Sequence, residues 1–125
     1  MAVFLHTRIR VSDLDRSIDW YEEHLGFQLK RRSDKSPAGN RIAMLELPGN
    51  EHLLELTWSI DYELNVPDDL MHLAIAVPDL IAYCEQLEGK GIEIWPNDWS
   101  QKLLDNKMAF IDDPDGYEIE LLERK

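Results

Sequence analysis

The sequence predicts an α+β fold in which two tandem βαβββ modules, each with a curled mixed sheet, make up a single domain of residues 1–125. The first observation is a repeated motif, since HTRIRVSDL at residue 6 and HLAIAVPDL at residue 72 share His, Val and Asp-Leu at the same spacing. The second observation is that matching residues recur at nearly equal intervals, 66 residues from His6 to His72 and 65 from Glu55 to Glu120. Such internal similarity indicates one supersecondary unit used twice.

The first module is predicted at about residues 1–60. Alternation of apolar and polar residues indicates strands at 4–11, 27–32, 41–47 and 52–58. Between the first two strands, SDLDRSIDWYEEHLG has apolar residues at helical spacing, with Ser12 or Asp13 as the N-terminal cap and Gly26 as the stop. The helix therefore covers about residues 12–26, and its apolar stripe consists of Leu14, Ile18, Tyr21 and Leu25.

The second module is predicted at about residues 70–125, after a polar link in which Pro67 rules out a continuous helix. The same reading predicts strands at 71–77, 92–96, 107–113 and 117–123 and a helix at 78–91. Gly91 provides the helix stop, and DPDG at 113–116 provides the last tight turn.

The overall composition narrows the function classes. A hydrophobic fraction of 44% allows a packed core in a chain of 125 residues. The net charge of −12 disfavours nucleic acid as a partner, and the short apolar runs disfavour a membrane span. No secretory signal pattern is visible, and the single cysteine, Cys84, cannot form an internal disulfide, so we expect a cytoplasmic location.

The repeated histidines and glutamates lie on strand faces that point away from the predicted helices. In the first strand His6 shares a face with Arg8 and Arg10, and Glu55 shares one with Thr57. Two imidazoles and two carboxylates form a mixed nitrogen and oxygen set suited to a divalent transition metal. Taken singly, each of the four is more typical of a solvated or hydrogen-bonded surface residue, but their repetition in phase favours a metal site.

Four segments of the chain resemble the vicinal-oxygen-chelate superfamily, and within it the short bacterial glyoxalase I enzymes (lactoylglutathione lyases). They are HTRIRVSDLDRSIDWYEEHLGF, LLELT, MHLAIAV and DPDGYEIELLE. The resemblance implies the glyoxalase/bleomycin-resistance/dioxygenase fold and a bound divalent metal, with Ni²⁺ or Co²⁺ favoured and Zn²⁺ or Mn²⁺ as alternatives. The implied metal ligands are His6, Glu55, His72 and Glu120, and Glu118 is excluded.

The resemblance also implies how the site is assembled and used. Each metal in a homodimer takes His6 and Glu55 from one chain and His72 and Glu120 from the other. Glu120 is the implied catalytic base, and Glu55 is its counterpart on the other side of the substrate. The implied reaction isomerises the hemithioacetal of methylglyoxal and glutathione, or another thiol, to an S-D-lactoyl thioester.

The choice of thiol is open in the sequence. Arg10 matches an arginine that helps bind glutathione in this family, but Ser59 replaces the expected asparagine. Two alternatives to the isomerase are another metalloenzyme of the superfamily, such as an epimerase or a dioxygenase, and a non-catalytic small-molecule binding protein. A carboxylate at Glu55 favours the isomerase, because the other families typically lack it.

Overall fold

The computed structural model describes residues 1–101 and 107–124. It divides into two compact units, Met1–Asn65 and Val66–Lys125. The helices and strands of the first unit are β1 (His6–Arg10), α1 (Leu14–Leu25), β2 (Gln28–Ser33), β3 (Asn40–Glu46) and β4 (Leu53–Ser59). Those of the second are β5 (His72–Val77), α2 (Leu80–Gly89), β6 (Met108–Asp112) and β7 (Glu118–Glu123).

The first unit is a mixed four-stranded sheet with strand order β1-β4-β3-β2, covered by α1. β1 and β4 are parallel, and the other neighbours are antiparallel. The carboxylate of Asp13 caps α1 by accepting the Arg16 backbone N–H at 3.1 Å, and Gly26 ends the helix at φ 76°. The predicted apolar stripe of α1 is buried, with Tyr21 fully inaccessible, and packs on the sheet.

The second unit is a mixed three-stranded sheet with strand order β5-β7-β6, against which α2 packs through β7. β5 and β7 are parallel, whereas β6 and β7 are antiparallel. Asp79 caps α2 as Asp13 caps α1, by accepting the backbone N–H of the residue three positions later. The α+β fold with two sheets is therefore confirmed.

The strand predicted at 92–96 is the main difference from the sequence-based expectation. Among the residues that the structure describes, this segment pairs with β6 through a single bridge between Trp95 and Phe110. The Ile92 N–H donates instead to the Leu87 carbonyl at the end of α2, and Pro96 has no N–H to donate. Neither end of the segment therefore donates a backbone N–H to β6, because the Ile92 N–H bonds to the end of α2 and Pro96 has none.

Side-chain burial in β1 follows the predicted alternation. Ile9 is 2% exposed and contributes to the core, whereas His6 and Arg8 on the other face are exposed. The polar face of the strand is consequently available for chemistry. Among the described residues, no helix combines the length and hydropathy needed to cross a bilayer.

Candidate metal centre

In the first unit, parallel pairing of β1 with β4 brings His6 and Glu55 together. His6 is level with Leu53 and Arg8 is level with Glu55, so the carboxylate lies two residues beyond the register partner of the histidine. Both side chains point to the same face of the sheet, and His6 Nε2 lies 3.3 Å from Glu55 Oε1.

The second unit repeats this arrangement. His72 is level with Glu118 and Ala74 is level with Glu120, which again places the carboxylate two residues beyond the partner of the histidine. His72 Nε2 lies 3.8 Å from Glu120 Oε1. Glu118 instead accepts the Asp69 backbone N–H at 3.1 Å, so its carboxylate bonds to the segment that precedes β5.

Each pair has the donor types that a transition metal binds, at a separation close to the one that the metal requires. Neutral imidazole nitrogen and carboxylate oxygen bind such ions at about 2.0–2.2 Å, so adjacent donors on one ion lie roughly 3–3.5 Å apart. The His6–Glu55 separation of 3.3 Å lies within this range, and the His72–Glu120 separation of 3.8 Å lies just beyond it. Within residues 1–101 and 107–124, no group of three or more His, Cys, Asp or Glu side chains lies close enough to hold an ion. The four predicted ligands are therefore arranged as two pairs, one in each unit.

Glu55 is held by a network on its Oε2 atom. Its side chain is only 4% exposed, and Oε2 accepts hydrogen bonds from the Thr57 hydroxyl at 2.5 Å and from Arg8 Nε. Burial acts to raise the pKa of Glu55, but the hydrogen bonds from Thr57 and Arg8 and the positive charge of Arg8 outweigh it, so the pKa lies below its ordinary value. The carboxylate is thus ionised, with Oε1 directed at His6.

Glu120 has a different environment. Its side chain is 18% exposed, and its partner among the described residues is His72. The positions that correspond to Arg8 and Thr57 are occupied by Ala74 and Leu122, neither of which has a side-chain donor. The two carboxylates therefore match in register but differ in restraint.

The predicted substrate-binding residues Arg10 and Ser59 also lie together in the first unit. Arg10 Nη1 donates to Ser59 Oγ at 2.8 Å, and Ser59 in turn donates to Asn40 Oδ1 at 2.5 Å. The Arg10 guanidinium lies 4.1 Å from the centre of the Tyr62 ring. Ser59 and Tyr62 thus orient the Arg10 guanidinium on the strand face that also carries His6.

A cavity of about 940 Å³ lies in the second unit beside His72. Trp95 and Phe110 form an aromatic wall with ring centroids 5.7 Å apart, and Phe110 also contacts the His72 ring edge to face. The lining includes five carboxylates, those of Asp68, Asp69, Glu93, Asp112 and Glu118. Burial and the neighbouring negative charges raise the pKa of Asp112.

Two residues that contact Glu55, Arg8 and Thr57, are not among the candidate site residues that the sequence predicts. The available signal was alternation, which places Arg8 on the face of His6 and Thr57 on the face of Glu55. Alternation does not show that β1 pairs with β4, and it is this pairing that makes Arg8 level with Glu55. The predicted ligands themselves come together pairwise, as described above.

Comparison with known proteins identifies the family. The model of the glyoxalase/bleomycin resistance protein/dioxygenase superfamily matches residues 3–121. The lactoylglutathione lyase of Haemophilus influenzae is 36% identical over 97% of this chain and 92% of its own length. The probable lactoylglutathione lyase of Synechocystis sp. is also 36% identical, over 95% of this chain and 93% of its own length.

A solved structure agrees with these relatives. The trypanothione-dependent glyoxalase I of Leishmania major superposes with a TM-score of 0.81 at 34% identity, covering 98% of this chain and 87% of that one. The expected resemblance to glyoxalase I, and with it the classification as a lactoylglutathione lyase-like enzyme, is confirmed. The chain belongs to the glyoxalase/bleomycin resistance protein/dioxygenase superfamily.

Proposed function

We propose that this protein is a metal-dependent glyoxalase I that isomerises the hemithioacetal of methylglyoxal and a thiol to an S-D-lactoyl thioester, a methylglyoxal detoxification step in the cytoplasm. The observation that carries the proposal is the His–Glu pair repeated in one register in both units. Relatives at 36% identity that are named lactoylglutathione lyases support the same reaction.

The proposed metal ligands are His6, Glu55, His72 and Glu120, with Ni²⁺ or Co²⁺ as the preferred ion and Zn²⁺ or Mn²⁺ as alternatives. Two carboxylates balance the charge of a divalent ion, and six-coordination would leave positions for the substrate. Because each unit supplies two donors, we propose a homodimer in which each site combines His6 and Glu55 of one chain with His72 and Glu120 of its partner.

In the proposed reaction the carbon next to sulfur loses its proton and the adjacent carbonyl carbon gains one. When bound, the divalent metal supplies Lewis acidity that polarises the substrate carbonyl. Glu120 takes the proton from C1 and returns it to C2, while the hydroxyl proton moves to the neighbouring oxygen, so that no atom enters or leaves. The sparse contacts of Glu120 support its role as the base, because a proton carrier must reach both carbons.

Arg10 and Ser59 are proposed to bind the thiol part of the substrate. The Arg10 guanidinium is oriented by Ser59 and Tyr62, and its charge suits a carboxylate such as those of glutathione. The cavity beside His72 has five carboxylates in its lining, which would repel such a group. The test therefore also includes a thiol that has an amino group in place of a carboxylate.

The test is to supply the metal-free protein with Ni²⁺, Co²⁺, Zn²⁺ or Mn²⁺ and to follow thioester absorbance with methylglyoxal plus either glutathione or trypanothione, in which a polyamine replaces a carboxylate of glutathione. We expect turnover with at least one metal and a strict dependence on that metal. Elemental analysis of the purified protein identifies the ion that it carries. Binding of the hemithioacetal without turnover under all four metals would favour a binding protein, and turnover of a catechol or an epimerisable thioester instead would favour the other metalloenzymes.

A further inference from the structure

The two carboxylates of the candidate site differ in their surroundings, although the duplication places them in the same register. Glu55 has a guanidinium level with it on the neighbouring strand, whereas Glu120 has the methyl group of Ala74 in the corresponding place. We propose that Arg8 is a positioning residue that, together with Thr57, holds Glu55 so that only its Oε1 atom is available to the metal. This inference rests on the proposed function, because it assumes that Glu55 is a metal ligand.

The contacts of Glu55 carry the inference. A carboxylate can bind an ion through one oxygen or both, and a free side chain can rotate between these modes. Here Oε2 receives two donors, Arg8 Nε and the Thr57 hydroxyl, while Oε1 lies beside His6 Nε2. Rotation of the carboxylate would break both hydrogen bonds in a place where the side chain is 4% exposed and water is scarce. The network therefore favours binding through one defined oxygen.

Arg8 is suited to this role by its place on β1. It lies on the same strand face as His6, two residues further on, and parallel pairing makes it level with Glu55. Nε donates sideways to Glu55 Oε2, and the side chain remains 42% exposed, so its charge is still partly hydrated. A lysine could supply the charge but not a donor at the Nε position.

The asymmetry between the modules agrees with the division of labour in the proposed reaction. A ligand that stays on the metal throughout the reaction benefits from partners that orient it, and such partners commonly contribute about 10–100-fold to metal affinity. A base that transfers a proton between two carbons benefits from freedom to move. The restrained carboxylate is Glu55 and the less restrained one is Glu120.

The experiment measures Ni²⁺ affinity of the metal-free protein by titration calorimetry, with Ni²⁺ alone as the probe. We expect Arg8→Met to weaken Ni²⁺ binding by roughly 10–100-fold, as for other partners of metal ligands. The matched control is Arg31→Met, which removes an exposed strand arginine from β2 and should leave the affinity unchanged. Thr57→Val should also weaken binding, and Thr57→Ser, which keeps the hydroxyl, should restore it.

A double-mutant cycle shows whether Arg8 acts through Glu55. In a Glu55→Gln background, Arg8→Met should change Ni²⁺ affinity by less than about twofold, because the group that it positions is gone. An equal loss in both backgrounds, or an Arg8→Met protein that binds Ni²⁺ as tightly as or more tightly than the wild type, would overturn the positioning role. If the wild type takes up no metal, the proposed function fails and this inference fails with it. Normal uptake by the wild type combined with unchanged uptake by Arg8→Met overturns the inference alone.

Discussion

The substitution Glu120→Gln separates the proposed chemistry from the stability of the fold. Glutamine has nearly the same size as glutamate but cannot accept and return a proton at neutral pH. The described partner of Glu120 is His72 at 3.8 Å, beyond hydrogen-bond range. Because this partly exposed pair contributes about 0–1 kcal/mol, the free energy of unfolding should change by less than about 1 kcal/mol. Loss of a positioned base should lower turnover by about 10²–10⁴-fold, or about 2.7–5.4 kcal/mol of activation free energy.

The assay follows thioester formation from methylglyoxal and the active thiol with saturating Ni²⁺, and thermal unfolding is recorded on the same samples. Elemental analysis should still detect metal in Glu120→Gln, since the other ligands remain. The matched comparison is Glu55→Gln, which disturbs the hydrogen bonds from Arg8 and Thr57 and should cost about 1.5–3 kcal/mol of stability. Undiminished turnover in Glu120→Gln would refute the assignment of the base. Equal destabilisation by the two substitutions would refute the difference in restraint.

Three further predictions concern the rest of the molecule. Cys84 is fully buried, and burial together with the Glu88 charge raises its pKa to about 11, so a disulfide reagent should label it slowly at pH 8 and readily in denaturant; rapid labelling of the native protein would contradict this. The pKa of Asp112 is raised by burial and by neighbours such as Glu118, so its ionisation costs stability above the ordinary Asp pKa of about 4. Urea unfolding of Asp112→Asn should therefore show a gain of at most about 1 kcal/mol at pH 7 that disappears as the pH falls towards 4, and a gain that grows on acidification would reverse the sign. Leu56 is fully buried in β4, so Leu56→Ala should lower the free energy of unfolding by about 2–5 kcal/mol, and a smaller loss in urea would show that the core collapses around the site.

Much of the fold, and the pairing of the candidate ligands within each unit, could be predicted because the signals are local or repeated. The spacing of apolar residues in α1 and its stop at Gly26 appear in the structure as expected, and of the two predicted caps, Ser12 and Asp13, the structure has Asp13. The duplicated histidine and glutamate positions could be read directly from the repeat, and alternation assigned their strand faces. Periodicity and caps depend on neighbours a few residues away, so they are visible in a linear sequence.

Register and segment pairing had to come from the tertiary structure. Alternation assigns a side chain to a face but not to a neighbour, and only the parallel pairing of β1 with β4 makes Arg8 level with Glu55. The segment at 92–96 has the pattern of a strand, yet its Ile92 N–H bonds to the end of α2. Its pairing with β6 consists of the single bridge between Trp95 and Phe110 among the described residues. The sequence by itself thus determined the local conformations and the candidate ligand positions. The restraint on each carboxylate was decided by long-range strand pairing, because hydrogen-bond partners that are far apart in the chain produce no periodic pattern in the sequence.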